Sequence, residues 1–167
     1  MCARVYVSIG SNIEREQSIE AALRQLQTDY GDLEQSSIYE SDAVGFDSAP
    51  FYNLVVAFDT DKSARAVQTH LHDIEAASGR VRGGAMAART LDLDLLLYDD
   101  LVIDEYRLKL PRNDIERYAF VLGPLAEIAG SKKHPVTGRR YADMWAEFDD
   151  TQQQLTRVDW PAPAADT

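Results

Sequence analysis

The chain carries one cysteine, Cys2, among 167 residues. A single thiol cannot form an internal disulfide, and no Cys or His stands near it at metal-ligand spacing, so a disulfide-stapled or zinc-ribbon domain is excluded and a reducing cytoplasm fits. Long apolar runs are missing too. None reaches the ~18 residues that span a bilayer, and no apolar stretch follows a basic start, so neither a membrane span nor a signal peptide is expected. Basic residues are scarce, 17 against 28 acidic, for a net charge of −11. That balance excludes a general nucleic-acid or anionic-membrane binder, which needs a basic face. It leaves room for a small phosphorylated ligand, because a single pocket can be locally basic. A glycine-rich loop ending in lysine is also lacking, so the chain is not a P-loop enzyme.

What is present reads as one soluble domain. Apolar residues make up 45% and charged residues 27%, the balance of a chain that buries a core. The domain is expected over 1–150, with 151–167 as a tail that turns Pro-, Ala- and Asp-rich and frays from Pro161 to Thr167. Arg4 to Ile9 alternates and is rich in β-branched residues, which predicts a strand; Gly10-Ser11-Asn12 then turns, with Ser11 or Asn12 able to cap a helix. That helix carries Ile19, Leu23, Leu26 and Tyr30 on one stripe and ends at Gly31. Leu33 to Tyr39 predicts a second strand, Ser41 to Pro50 a loop, and Asn53 to Asp59 a more uniformly apolar, central third strand. Ser63 is placed to cap a second helix with a stripe of Ala64, Val67, Leu71 and Ile74, closed by Gly79. After a strand through Leu95, Leu101-Val102-Ile103 predicts a short strand hairpinning back, and Leu108 to Leu110 another. Tyr118 to Ala129 predicts a helix in which Pro124 starts or kinks a turn, and Tyr141 to Phe148 a last one with Trp145 inward. The order is β-α-β-β-α-β with additional C-terminal strands and helices, an α+β, ferredoxin-like, three-layer α/β/α arrangement.

Chemistry concentrates between Gly79 and Tyr98. Arg80, Arg82 and Arg89 stand in a glycine- and alanine-rich loop, and Leu91-Asp92-Leu93-Asp94-Leu95 follows in strict alternation. As a strand, that run puts Asp92 and Asp94 on one face and the leucines on the other. Neighbouring carboxylates repel and resist burial. A hard divalent cation between them, Mg²⁺ first of all, explains the pair. The leucines run on to Leu97, so the strand reads as central, a poor place for two unpaired acids. The planar fork of arginine suits phosphate oxygens, and Gly83-Gly84 gives the loop freedom to close over a nucleotide. Together these residues point to metal-dependent phosphoryl transfer. The competing reading is a solvated acidic face beside arginines that merely balance charge. Phe51 and Asn53 suit a slot for a flat heterocycle, one face to stack on and one amide to read its edge, with Phe120 as a second face; Tyr52 reads equally as core. His70, His72 and His134 show no clear partners; His70 and His72 read as surface residues of a helix, with His72 singled out for its nearness to Glu75 and the arginines.

These residues resemble the signature of the 6-hydroxymethyl-7,8-dihydropterin pyrophosphokinases. The likeness runs through Val7-Ser8-Ile9-Gly10-Ser11-Asn12, Tyr39 with Ser41, Gly45 and Phe51-Tyr52-Asn53, then Ile74-Glu75, Gly79-Arg80-Val81-Arg82, Arg89-Thr90-Leu91-Asp92-Leu93-Asp94, Ala119-Phe120-Val121-Leu122 and Pro124-Leu125-Ala126-Glu127-Ile128. It covers residues 4 to 148 in collinear order. The resemblance implies a ferredoxin-like fold and transfer of pyrophosphate from ATP to the pterin hydroxymethyl group, in folate biosynthesis. It implies two Mg²⁺ ions on Asp92 and Asp94, with Arg80, Arg82 and Arg89 stabilising the transferring group. The pterin would lie between Phe51 and Phe120, its edge read by Asn53 and the Ser41, Val44 and Gly45 loop. His72 and Glu75 fall where the family contacts nucleotide or orders the site, and Arg107 and Lys109 on the strand that receives adenine. Arg112 stands where the family has His, Tyr118 where it has Arg, and Ala85-Met86-Ala87-Ala88 replaces a Trp-Gly-Pro. Two other readings stay open on these residues: a relative that binds pterin or nucleotide but transfers weakly or to another acceptor, and a non-catalytic module. Partners implied are the small-molecule substrates, pterin and ATP, with no nucleic acid or membrane; protein partners stay open.

Overall fold

The computed structural model describes residues 2–41, 50–81 and 91–159, with the backbone alone at 79–81. In order come β1 (Ala3–Ser11), α1 (Arg15–Tyr30), β2 (Glu34–Gln35), β3 (Ile38–Ser41), β4 (Phe51–Thr60), α2 (Ala64–Val81), β5 (Asp92–Tyr98), β6 (Ile103–Glu105), β7 (Leu108–Leu110), α3 (Asp114–Arg117), α4 (Ala119–Ala129), α5 (Tyr141–Ala146) and β8 (Thr156–Val158). The main sheet is antiparallel and runs β5-β1-β4-β3-β8, with β2 also on β4. Its β1-α1-β3-β4-α2-β5 part is the ferredoxin-like arrangement expected from the order of elements.

Alternation along each strand supplies two cores, one on each face of the sheet. Val5, Val7 and Ile9 of β1 pack with Leu54, Val56 and Phe58 of β4 against Ile19 and Leu26 of α1 and Val67 and Leu71 of α2. Tyr6, Val55, Ala57, Leu96 and Leu97 pack on the other face against Ile115, Val121, Leu122, Leu125, Tyr141 and Met144. A β-bulge between Tyr6 and Val7 of β1, opposite Leu97 and Leu95 of β5, puts the adjacent Leu96 and Leu97 into the same core. The three layers are therefore α1 and α2, the sheet, and α3 to α5.

Several boundaries differ from the sequence expectation. Gly10 and Ser11 still belong to β1, and the α1 N-cap is Glu14 in a left-handed conformation (φ 47°) without a side-chain cap; Ser11 instead donates to Ile13 O. The strand expected over Leu33 to Tyr39 is broken between β2 and β3, where Ser36 Oγ accepts the Val55 N–H and Glu127 of α4 accepts from Ser37 N, Ser37 Oγ and Tyr39 Oη. Ser63 caps α2 as expected, its Oγ accepting from Ala66 N. α2 then runs through Gly79 to Val81. One interior glycine costs about 1 kcal/mol, less than a continuous packed helix returns, so Arg80 lies in the last turn of α2 and not in a loop.

β4 is central, as expected, but among the described residues β5 is an edge strand. It reads as central because both of its faces are covered by helices, and burial of faces says nothing about neighbours in the sheet. β6 does not hairpin back on β5: it starts at Ile103 and pairs with β7 in a separate two-stranded sheet, turning at Arg107 (φ 61°). α4 keeps Pro124 inside it, and α3 precedes it as a separate single turn. β8, which carries no pattern strong enough to read, pairs with β3.

Candidate active site

On the α3–α4 face, one end of the sheet is left open and forms a cavity of about 290 Å³. Strand register builds its floor. Asn53, Gly10 and Asp92 are successive partners across β4, β1 and β5, and Ser8 pairs with Asp94 two residues along. Directly paired residues share a face, so the alternation that buries Leu91, Leu93 and Leu95 in the first core brings Asp92 and Asp94 into the cavity beside Asn53. Phe51, two residues before Asn53, lies on the same side, and its strand partner Ser41 completes the far edge. The wall comes from Asp114 of α3 and from Tyr118 and Phe120, whose rings stack at 5.0 Å and 22°.

Asn53 is fixed. Its Nδ2 donates to Ser41 Oγ at 2.7 Å. A Cβ on residue 10 would lie 3.2 Å from Asn53 Oδ1 and 3.7 Å from Phe51, so glycine at that position keeps the amide oxygen and ring uncrowded. The site thus offers an oriented amide next to an aromatic face, the pairing that a flat heterocycle requires.

At the other end the carboxylates gather. Burial raises the Asp94 carboxyl above the usual range; Arg112 opposes the shift, and the charges of Asp92 and Asp114 add to it. Arg112 Nη2 lies 3.6 Å from Asp94 Oδ1, and its Nε lies 3.3 Å from Asp114 Oδ2 at an angle that makes an ion pair but no hydrogen bond. Sequence reasoning missed Asp114, because a one-turn helix leaves no periodic signal. Among the described residues no group of three or more Asp, Glu, His or Cys is arranged to hold a metal.

Other residues singled out from the sequence stand apart from the cavity. Glu75 of α2 accepts the Leu93 N–H at 2.6 Å, on the outer edge of β5 and between the two aspartates in sequence. His72 is exposed on α2. Arg107 and Lys109 lie on the β6–β7 hairpin, the first with its guanidinium over Tyr106 and the second 3.7 Å from Asp104. Tyr52 turns to the first core, with Arg15 3.9 Å over its ring. His70 stays partly exposed on α2, but it has partners: Tyr30 Oη meets its Nδ1 at 2.7 Å and Asp29 its Nε2 at 2.9 Å. His134 is buried, and its Nδ1 accepts from Val136 N and Thr137 N. Val44, Gly45, Arg82 and Arg89 lie outside the described residues, as does the Arg80 side chain.

An antiparallel ferredoxin-like sheet thus carries an oriented amide beside aromatic rings at one end of a cavity and carboxylates at the other. The 7,8-dihydro-6-hydroxymethylpterin-pyrophosphokinase (HPPK) profile matches residues 6–130, and the chain belongs to that family. It is similar to the 2-amino-4-hydroxy-6-hydroxymethyldihydropteridine pyrophosphokinase of Pseudomonas aeruginosa, 38% identical over 150 residues that cover 87% of this chain and 92% of that one. The Haemophilus influenzae protein of the same name is 36% identical over 128 residues, 74% of this chain and 80% of that one. Among solved structures, Plasmodium falciparum HPPK-DHPS superposes with a TM-score of 0.71 at 12% identity, over 87% of this chain and 45% of that one, a likeness of fold. This chain spans less than half of that longer protein.

Proposed function

We propose that the protein transfers the pyrophosphoryl group of ATP to the hydroxymethyl oxygen of 6-hydroxymethyl-7,8-dihydropterin and releases AMP, a step of folate biosynthesis. The new bond joins the hydroxymethyl oxygen to the β-phosphorus. The bond from that phosphorus to the oxygen bridging the α-phosphate breaks, and the hydroxyl proton is lost. One observation carries the reading: a single row of sheet partners sets Asn53 and Asp92 on either side of Gly10. A pterin stacked between Phe51 and Phe120 with its edge on Asn53 would then hold its far end toward the carboxylates.

Mg²⁺ fits that end, because it binds through one or two carboxylates and completes its shell with phosphate oxygens and water. Asp92 and Asp94 would hold it, two ions being the expected complement, and bound there it would neutralise triphosphate charge and align the displacement. Arg112 lies close enough to Asp94 to turn from that carboxylate toward a bound phosphate. Arg80, Arg82 and Arg89 are the further groups assigned to the transferring phosphates, and His72, Glu75, Arg107 and Lys109 to the nucleotide side. Ser41 fixes the Asn53 amide, and Val44 and Gly45 are the further residues assigned to the pterin edge.

The test is a product assay with ATP, Mg²⁺ and hydroxymethyl-dihydropterin. AMP and pyrophosphorylated pterin should appear one to one, and EDTA should abolish both. AMP release that ignores the pterin would overturn the reading. Binding of both ligands without AMP would mark a binding protein that no longer transfers.

A further inference from the structure

The wall that carries Tyr118 and Phe120 is held by a residue distant in sequence. Helices α3 and α4 meet at Tyr118, whose backbone is extended (φ −124°, ψ 128°) and whose side chain caps neither helix. A helix end leaves orphan groups: the carbonyl of Arg117 closes α3, and the N–H of Ala119 opens α4. Both are taken by one side chain. Gln153 Oε1 accepts from Ala119 N at 2.9 Å, and Gln153 Nε2 donates to Arg117 O at 3.1 Å. The amide brackets Tyr118 from both sides.

The bracket is itself anchored. Gln153 N donates to Asp150 O at 3.0 Å. Leu155 packs on α4, its Cδ1 3.0 Å from where a Cβ on Gly123 would stand. Thr156 and Arg157 then pair with Glu40 and Tyr39, and the next residue of that strand, Ser41, is on the opposite rim of the cavity. The five residues from Gln153 to Arg157 thus tie the aromatic wall to the strand that orients Asn53. They lie beyond residue 130, where the match to the family profile ends.

We propose that Gln153 is a positioning residue for the heterocycle: by bridging Arg117 O and Ala119 N it fixes the angle at which α4 presents Phe120 across from Phe51. This rests on the reading of the cavity as the pterin slot. A residue that merely supports the fold would lower the active fraction, and with it apparent turnover, without changing affinity for one substrate. A positioning residue selectively weakens the ligand that its wall touches.

The experiment compares wild type with Gln153→Met, which keeps the stem and loses both hydrogen bonds, and with Gln153→Glu, which keeps an acceptor for Ala119 N at a helix N-terminus that favours a carboxylate. Pterin and ATP affinities are measured by equilibrium titration, and KM and kcat by the product assay. Gln153→Met should weaken pterin binding and raise pterin KM about fivefold, the scale of one to two lost hydrogen bonds, while ATP affinity and kcat hold. Gln153→Glu should recover part of the loss. Unchanged pterin affinity in Gln153→Met, or equal weakening of both substrates, overturns the proposal. Transfer by wild type with unaltered pterin affinity in Gln153→Met would sink the bracket and leave the activity standing. Pterin binding lost in Gln153→Met by a wild type that makes no AMP would sink the activity and uphold the bracket. A wild type that binds no pterin overturns both.

Discussion

Asp94 sits where a carboxylate is disfavoured: half-buried, with the charges of Asp92 and Asp114 facing it and Arg112 as a counter-charge 3.6 Å away. The arrangement costs stability, a cost that the proposed cation would offset. Asp94→Asn should therefore lower turnover by about a thousandfold or more and at the same time raise the melting temperature in metal-free buffer by a few degrees, read by calorimetry and the product assay. A variant that is both inactive and less stable would show Asp94 to be a structural acid. The sequence shows Asp92 and Asp94 plainly, because strict alternation with leucine leaves them one face. It does not show Asp114 or the cradle at Gly10. Those depend on which turn lies over the strand and on the 3.2 Å that separates a would-be Cβ from Asn53.

β5 shows what an element needs beyond its own residues. As an edge strand it exposes unpaired backbone groups, yet the Leu93 N–H is taken by Glu75 at 2.6 Å and the Leu96 carbonyl by Arg112 N at 3.1 Å. Glu75 thereby holds the peptide between the two aspartates. We expect Glu75→Ala to lower kcat about tenfold, the order of one unsatisfied N–H, and Glu75→Gln, which keeps an acceptor, to restore most of it; wild-type kcat in the alanine variant would refute the role. The turn before α5 is held by His134. Burial lowers the His134 pKa, Glu116 opposing, and neutral Nδ1 accepts from Val136 N at 3.1 Å and Thr137 N at 3.2 Å. A depressed folded pKa means that the unfolded chain binds the proton more readily. The stabilisation is thus full above about pH 6.5 and is lost as pH falls through the lower folded value. Melting temperature should decline below pH 6.5 in wild type, and the decline should flatten in His134→Gln. The helix stripes of α1 and α2 are legible because their apolar residues recur at the helical period; the β2–β3 break is not, because Glu127, which bonds there, lies some ninety residues away.

For the molecule as a whole, two cores share one sheet. Leu54 faces α1 and α2, whereas Leu122 lies in the layer beneath the opposite face. A sheet cannot lose one layer and keep the other, since each strand contributes alternate residues to both. Leu54→Ala and Leu122→Ala should each cost about 2–5 kcal/mol and shift one common unfolding transition, checked by denaturant melts with two probes; separate transitions would mean that the layers fold independently. The amino-acid sequence alone determined the β-α-β-β-α-β order of the core, the facing of β1, β4 and β5, the alternating Asp92 and Asp94 and the family, because periodicity and short motifs are local. Tertiary structure decided that β5 is an edge, that Asp114 and Arg112 join the carboxylates, and that Gln153 braces the wall beside Tyr118. Those are contacts between segments remote in the chain, set by sheet register and by the orphan backbone groups at helix ends, and no local pattern records them.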